Sequence, residues 1–198
     1  MAIILFGGSF DPIHNGHLAM AQAALSYLPN AQLWMIPAAC SPFKTHRKIT
    51  GEQHRLAMCR LAVQDEPRIT VTNVEFTLPK PSYTVNTVSH LQKRHSDEYY
   101  FLCGADAFLS LEKWKDYETL FQMVTFLVAD RQGAGQEGLI AQKAWVESNG
   151  GKVVFLPMEK VPLSSTDVRA GLLQSPPDLG GIPQRVEEYI RQNKLYQE

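Results

Sequence analysis

The stretch AIILFGGSFDPIHNGH, residues 2–17, decides the fold class of this chain. It begins with apolar residues, as a buried strand does, and continues into a turn rich in glycine, proline and histidine. A helical pattern follows over 16–28, with apolar residues three or four positions apart on one face. A buried strand, a glycine-rich turn and an amphipathic helix in this order indicate the first βα unit of an α/β domain.

The same alternation continues along the chain. Helical spacing predicts helices at 16–28, 51–65, 84–95, 106–112, 116–123 and 137–149, the second of them capped by Thr50 together with Gln53. Short apolar runs bounded by Gly, Pro, Asn or Asp predict six strands, at 2–6, 32–37, 68–73, 99–103, 125–129 and 152–156. Such an alternation implies βαβ crossovers. The predicted fold is α/β, a doubly wound Rossmann-like parallel sheet with helices on both faces.

The segment after the sixth predicted strand is helical. We expect helices at 165–174 and 183–196, joined by the Pro/Gly-rich SPPDLGG at 175–181. Because 165–198 is too short to bury a core of its own, it is expected to pack on the same sheet as a C-terminal helical cap. Residues 1–198 are therefore predicted to form a single domain.

The composition excludes several classes of protein. The chain has 198 residues, 44% of them hydrophobic and 20% charged, which is typical of a globular domain. Its 19 basic and 20 acidic residues are interspersed, so no broad surface for nucleic acid or membrane lipid is expected. The N-terminal apolar run is too short for a signal peptide. Three cysteines without a CxxC pair argue against disulfides and a structural zinc site, and favour the cytoplasm.

The turn after the first predicted strand has the residue types of a phosphate site. Gly7 and Gly8 are expected to allow positive φ and a close approach of phosphate to backbone N–H groups. Ser9 adds a hydroxyl and Phe10 an apolar wall. Gly16 lets the helix begin close to the ligand, so that the helix N-terminus can attract an anion.

Two histidines occupy the end of this turn. His14 and His17 are spaced so that both imidazoles can face one phosphate and donate to oxygens on which negative charge develops. A structural alternative is that His14 caps or packs the helix start and that the glycines serve only the turn.

Two segments together carry a resemblance to a known group of enzymes. GGSFDPIHNGH, at 7–17, resembles the signature of the nucleotidyltransferase superfamily with an HxGH motif, which includes adenylyltransferases and cytidylyltransferases. PLSSTDVRAGL, at 162–172, resembles the second signature of that superfamily. The resemblance implies that the two segments form the two ends of an ATP site.

The second signature has groups that suit the β and γ phosphates. Ser164, Ser165 and Thr166 can offer hydroxyls and helix N-terminal N–H groups, and Arg169 can reach the same anion. The alternative is an ordinary helix cap followed by a solvated arginine. In SPFKTHRK, at 41–48, the resemblance implies that Lys44 contacts phosphate, the alternative being a solvated loop cation.

Internal segments narrow the resemblance to bacterial nicotinate-nucleotide adenylyltransferases, over essentially the whole chain. In PSYTVNT, at 81–87, the resemblance implies that Tyr83 and Thr84 help hold a pyridine nucleotide, with backbone N–H groups meeting the nicotinate carboxylate. A helix N-terminus suits such an anion. The same residues could equally serve as a helix cap with a hydrophobic staple.

The segment CGADAFLSLEKWKDYETL, at 103–120, resembles another part of that family. The resemblance implies that Gly104 and Asp106 contact the nucleotide's ribose and backbone, and that the pyridine ring stacks on Trp114. Asp106 as a helix cap and Trp114 as a core residue are the alternatives. Lys115 departs from the side chains usual after this tryptophan, and would add attraction for an acid-bearing substrate if its side chain reaches the ligand.

The reaction implied by the resemblance joins ATP and nicotinate mononucleotide to give nicotinate adenine dinucleotide and pyrophosphate. Mg²⁺ is expected to arrive with ATP, and no metal held by protein side chains is expected. His14, His17, Lys44 and Arg169 form the expected catalytic set. Nicotinamide mononucleotide or phosphopantetheine as acceptor, or a noncatalytic nucleotide-binding module, are the alternatives, and the oligomeric state stays open.

Overall fold

A computed structural model describes residues 1–42, 49–130, 137–158, 163–174 and 180–197. In these residues the strands are β1 (Ala2–Gly8), β2 (Gln32–Pro37), β3 (Ile69–Val71), β4 (Glu98–Gly104), β5 (Thr125–Asp130) and β6 (Lys152–Pro157). The helices are α1 (Asn15–Tyr27), α2 (Glu52–Val63), α3 (Thr84–Gln92), α4 (Ala105–Phe108), α5 (Tyr117–Met123), α6 (Glu137–Ser148), α7 (Ser165–Leu172) and α8 (Gln184–Gln192). Short 3-10 helices lie at Val74–Thr77 and Leu111–Lys113.

The strands form one parallel sheet in the order β3-β2-β1-β4-β5-β6. From β1 the chain adds strands first on one side, as β2 and β3, and then on the other, as β4, β5 and β6. The predicted doubly wound α/β fold is therefore confirmed. The strand order reverses between β1 and β4, and this is where sheets of this kind have their ligand crevice.

The side chains of β1 alternate between two hydrophobic cores. Ile4 and Phe6 are buried in the core that contains residues of α1, α2, α7 and α8. Ile3 and Leu5 are buried in the core formed with α3, α4, α5 and α6. Helices on both faces explain why the strands read as continuous apolar runs, since each face is removed from water.

The C-terminal helices pack on the sheet. Val168 of α7 and Ile190 of α8 belong to the same core as Ile4 and Phe6 of β1. This packing supports the prediction of a single domain with a helical cap. The last helix ends at Gln192, earlier than predicted, because Lys194 and Tyr196 have left-handed backbone, with φ of 50° and 59°.

Two local predictions were wrong. The N-cap of α2 is Gly51 rather than Thr50, whose carbonyl instead accepts a bond from Arg55 Nε at 2.8 Å. The helix predicted at 106–112 is split into α4 and a 3-10 helix. Ser110 Oγ donates to the carbonyl of Ala107 at 3.0 Å, and such side-chain bonds compete with the helical ladder.

The three cysteines, Cys40, Cys59 and Cys103, are free thiols. Burial raises the pKa of the Cys103 thiol to about 12, so this thiol stays protonated and unreactive at neutral pH. None of the helices in the described part of the chain is long and apolar enough to cross a membrane.

Candidate active site

The β1–α1 turn leaves the sheet at the reversal of strand order. Gly7 and Gly8 are the last residues of β1, and their backbone is extended rather than at the positive φ that we predicted. A Cβ on Gly8 would lie 3.0 Å from the Phe10 ring, so glycine is needed there for space. The left-handed conformation falls on Phe10 instead, with φ 46°.

Phe10 supports the turn from beneath and is not an exposed wall. Its side chain is buried, with 1% of its surface exposed. The ring packs edge-on against Phe6, at 5.3 Å between centroids, and against His17, at 5.0 Å. Phe10 therefore restricts the position of the His17 ring.

His14 is the N-cap residue of α1 and is buried. Its ring stacks on the ring of His17, with 3.7 Å between the centroids. A Cβ on Gly16 would lie 3.0 Å from the His14 ring, so Gly16 makes room for this imidazole, and its place beside a ligand stays a prediction. The structural alternative for His14, packing at the helix start, describes its position.

His17 is half-buried and lies at the third position of α1. Its Nδ1 accepts a bond from the backbone N–H of His14 at 3.2 Å. In the neutral ring the proton is therefore on Nε2, because a nitrogen that accepts cannot also carry the hydrogen. This arrangement provides an N–H donor of fixed orientation.

Ser164, Ser165 and Thr166 stand at the start of α7, as predicted. Ser164 is the N-cap: its Oγ accepts from the backbone N–H of Asp167 at 3.2 Å, and donates to the Asp167 carboxylate at 2.6 Å. This capping box shows that the helix-cap alternative is correct for the Ser164 hydroxyl. The backbone N–H groups in the first turn of α7 are those that can attract an anion.

The two signature segments are in direct contact. Arg169 Nη1 donates to the carbonyl of Asp11 at 2.6 Å, and Nη2 donates to Thr166 Oγ1 at 3.0 Å. Ser165 Oγ donates to the carbonyl of Pro12 at 3.2 Å. Arg169 is therefore held at the β1–α1 turn, and the alternative of a solvated surface arginine is wrong.

A cavity of about 470 Å³ opens beside the same turn. Its wall includes Gly7, Gly8 and Ser9. The structure brings these strand-end residues together with four predicted substrate-binding residues, Tyr83, Thr84, Trp114 and Lys115. Among the described residues, His14, His17 and Arg169 are not part of the cavity wall. The site therefore has two halves, the cavity and the histidine–arginine side, which meet at Ser9.

The N-terminus of α3 forms one side of the cavity. Tyr83 is its N-cap residue and Thr84 its first residue. Ser82 Oγ accepts from the backbone N–H groups of Ala39 and Cys40, each at 3.2 Å. These bonds fix the start of α3 against the loop that follows β2.

Trp114 and Lys115 form the facing side. Trp114 is half-buried, and its ring packs edge-on against Phe101 at 5.6 Å between centroids while also lining the cavity. It serves the core and presents surface to the cavity at once. The Nζ of Lys115 lies 4.8 Å from the centroid of the Tyr83 ring, a cation–π contact that keeps its charge at the cavity.

The other predicted site residues lie elsewhere. Gly104 is the N-cap of α4, so the alternative in which Asp106 caps this helix is wrong. Asp106 is exposed in the first turn of α4. Neither residue is part of the wall of the 470 Å³ cavity, within the described chain, and their contacts with nucleotide stay a prediction. Lys44 lies outside the described residues.

Sequence reasoning missed Arg55, which supports the turn from α2. Its side chain is only 1% exposed, and Nη1 donates to the carbonyl of Ser9 at 2.8 Å. The available signal was a charged residue on the apolar face of the predicted helix at 51–65. A buried guanidinium at this position also adds positive potential behind the turn.

Sequence reasoning also missed Glu75, a buried carboxyl in the cavity wall. Thr87 Oγ1 donates to its Oε1 at 2.9 Å. Burial raises the pKa of Glu75, and the hydrogen bonds of Ser82 and Thr87 and the charge of Arg55 only partly offset this. The signal in the sequence was a lone acid in the apolar stretch VEF.

Glu75→Gln is expected to change how stability depends on pH. The pKa of Glu75 is higher in the folded protein than in the unfolded chain. As pH rises past about 4.5, the unfolded chain therefore loses this proton while the folded protein still holds it. The stability contributed by Glu75 therefore falls with rising pH, and a glutamine cannot show this fall. Urea unfolding at pH 4 and pH 7 measures it: the variant should gain stability relative to the wild type at pH 7. A pH-independent difference would contradict the shift.

The chain is similar to known proteins over almost its whole length. The family model described as cytidylyltransferase-like matches residues 5–171. A probable nicotinate-nucleotide adenylyltransferase of Bacillus pumilus is 36% identical over 194 residues, which cover 98% of this chain and 97% of the relative. A protein of Carboxydothermus hydrogenoformans with the same name is 35% identical, over 97% and 96% of the two chains.

The chain belongs to the cytidylyltransferase-like family, on its nicotinate-nucleotide adenylyltransferase branch. Among solved structures, the nicotinic acid mononucleotide adenylyltransferase of Plasmodium falciparum complexed with NaAD superposes with a TM-score of 0.79. It is 20% identical, and the alignment covers 98% of this chain and 97% of that one. At this identity the superposition shows that the two chains share their fold.

Proposed function

We propose that the protein transfers the adenylyl group of ATP to nicotinate mononucleotide, giving nicotinate adenine dinucleotide and pyrophosphate. One observation carries the proposal: the two signature segments meet, through Arg169 and Asp11, beside a cavity with features suited to a pyridine nucleotide. The names of the full-length relatives support the same reaction.

The donor half of the site binds the triphosphate. His17 donates from Nε2, Arg169 supplies charge at the turn, and the first turn of α7 supplies N–H groups. Lys44 is proposed to reach the same phosphates, and His14 acts through its stacking on His17.

The divalent cation is part of the substrate. In the described residues there is no group of three or more His, Cys, Asp or Glu side chains that could hold a metal ion. The Asp11 carboxylate at the turn accepts from Tyr196, while the donor of His17 and the charge of Arg169 suit an anion rather than a metal. Mg²⁺ bound to the triphosphate keeps most of its waters and neutralises part of the phosphate charge.

The acceptor half of the site binds nicotinate mononucleotide. The start of α3, at Tyr83 and Thr84, offers backbone N–H groups to the nicotinate carboxylate, and the nearby charge of Lys115 attracts the same group. The pyridine ring stacks on Trp114. A neutral amide in place of the carboxylate would lack the charge–dipole attraction to the start of α3 and the charge–charge attraction to Lys115.

The reaction needs no protein nucleophile. The phosphate oxygen of nicotinate mononucleotide attacks the α-phosphorus of ATP, and the bond from that phosphorus to the bridging oxygen of pyrophosphate breaks. The protein aligns the reactants and stabilises the developing charge, and alignment alone can supply roughly 7–11 kcal/mol.

The decisive experiment measures pyrophosphate release from ATP and Mg²⁺ with three acceptors in parallel: nicotinate mononucleotide, nicotinamide mononucleotide and phosphopantetheine. The proposal expects a strong preference for the first. Preference for another acceptor would leave the proposed ATP-binding half in place, and would overturn the proposal that Thr84 and Trp114 bind nicotinate. ATP binding without release from any acceptor would instead support a noncatalytic module.

Trp114→Ala is expected to raise KM for nicotinate mononucleotide by about tenfold or more, because base–aromatic stacking is worth roughly 1–3 kcal/mol. KM for ATP should change little. Trp145→Ala is the matched control, since Trp145 packs on Phe121 and Tyr117 away from the cavity. Equal effects of both variants on this KM would show that only stability had changed.

A further inference from the structure

Asp11 is held from two directions by residues that come late in the chain. Its side chain is buried, with 2% of its surface exposed. Tyr196 Oη donates to the Asp11 carboxylate at 2.7 Å, and Arg169 donates to the Asp11 carbonyl at 2.6 Å. The two bonds fix both the side chain and the backbone of this turn residue.

Asp11 lies between two residues that shape the donor half of the site. Phe10, before it, has a left-handed backbone and packs against the ring of His17. Pro12, after it, accepts the bond from Ser165. A shift of Asp11 would therefore move the Phe10 ring and the contact between the two signature segments together.

The tail that carries Tyr196 has an unusual conformation. Lys194 and Tyr196 both have positive φ, which residues with a Cβ rarely adopt and which persists only where surrounding contacts enforce it. Burial raises the pKa of Tyr196, and the Asp11 charge raises it further, so the hydroxyl remains a donor at all working pH values. The strained tail thus delivers a permanent hydrogen-bond donor to the turn.

We propose that Tyr196 is a positioning residue for adenylyl transfer, acting through Asp11 to hold the β1–α1 turn in the geometry that binds the ATP phosphates. Tyr196 acts on the donor half, because Asp11, which accepts its bond, is not among the described residues of the cavity wall. This inference rests on the proposed function wherever turnover is measured. The effect of Tyr196 on ATP binding can be measured without turnover.

The test compares two tyrosine hydroxyls of the same segment. Tyr196→Phe removes the bond to Asp11 together with the contact of the same hydroxyl with Thr50, and the Asp11→Asn cycle below isolates the Asp11 route. Tyr189→Phe removes a bond of 2.9 Å to His54 Nδ1, which does not touch the turn. Because a bond to a charged group is lost, kcat/KM for ATP should fall about tenfold in Tyr196→Phe, and by less than about twofold in Tyr189→Phe. KM for nicotinate mononucleotide should stay unchanged in both variants.

A cycle with Asp11→Asn tests the route. If Tyr196 acts through Asp11, the double variant should be no slower than the slower single variant. If the fold-losses in kcat/KM of the two single variants multiply in the double variant, Tyr196 does not act through Asp11. Equal kcat/KM for ATP in Tyr196→Phe and Tyr189→Phe, with similar falls in Tm, would overturn positioning in favour of plain stability.

Calorimetry with a non-hydrolysable ATP analogue separates this inference from the proposed function. If the wild type releases no pyrophosphate with any acceptor, the proposed function fails, yet weaker analogue binding by Tyr196→Phe alone still supports positioning. Unchanged binding by both variants would then overturn it.

Discussion

His17→Ala is expected to lower kcat by roughly a hundredfold to a thousandfold, the cost of removing one donor to an oxyanion that forms in the transition state. The bond from the His14 backbone N–H to Nδ1 leaves the proton of the neutral His17 ring on Nε2, and alanine removes this donor. Steady-state rates of pyrophosphate release measure the effect. Turnover within about threefold of the wild type in a folded variant would remove His17 from the mechanism.

His17→Gln separates catalysis from helix capping. A glutamine at the third helical position can accept the backbone N–H of the N-cap residue, as His17 does now. This variant should therefore recover most of the thermal stability that His17→Ala loses, and should remain as slow. Recovery of turnover along with stability would mean that His17 acts only as a cap.

Arg169→Ala is expected to lower kcat/KM for ATP by about a hundredfold. The variant loses a charge at the triphosphate site and also the bond that holds the Asp11 carbonyl, and each effect is typically worth one or more powers of ten. Arg169→Lys should recover only part of the loss, because an ammonium lacks the two separate nitrogens with which Arg169 donates to Asp11 and Thr166.

Arg185→Ala is the matched control for Arg169. Arg185 lies on α8 and pairs with Asp65 at the surface, where an ion pair contributes little. Its turnover should equal that of the wild type. A similar loss in both variants would show that the donor half responds to the overall charge of the protein and not to Arg169.

The fold could be predicted because its signals are local. Each strand is an apolar run and each long helix has a regular spacing of apolar residues, so the alternation from β1 to β6 can be read without knowing any contact. The turn at Gly7–His17 could be recognised for the same reason. The errors lie where a nearby side chain bonds to the backbone: the Thr50 carbonyl accepts from Arg55 Nε, and the Ala107 carbonyl accepts from Ser110 Oγ.

The supporting residues of the site could not be predicted in this way. Arg55, Glu75 and Tyr196 reach the site from distant parts of the chain. Their neighbours in the sequence can mark Arg55 and Glu75 as unusual, but cannot show which atoms these side chains contact. Glycine roles were also only partly predictable: Gly8 was expected to allow positive φ, but its backbone is extended and it makes room for the ring of Phe10, as Gly16 does for the ring of His14.

The contacts of the β1–α1 turn have a consequence for biosynthesis. The turn is translated long before two of its partners, because Asn15 N–H donates to the carbonyl of Gly181 at 2.8 Å and Asp11 accepts from Tyr196. At roughly 5–20 residues per second, many seconds separate these events. The nascent chain therefore carries its signature motif in an incomplete state, and nucleotide can meet a finished donor site only after residue 196 has left the ribosome.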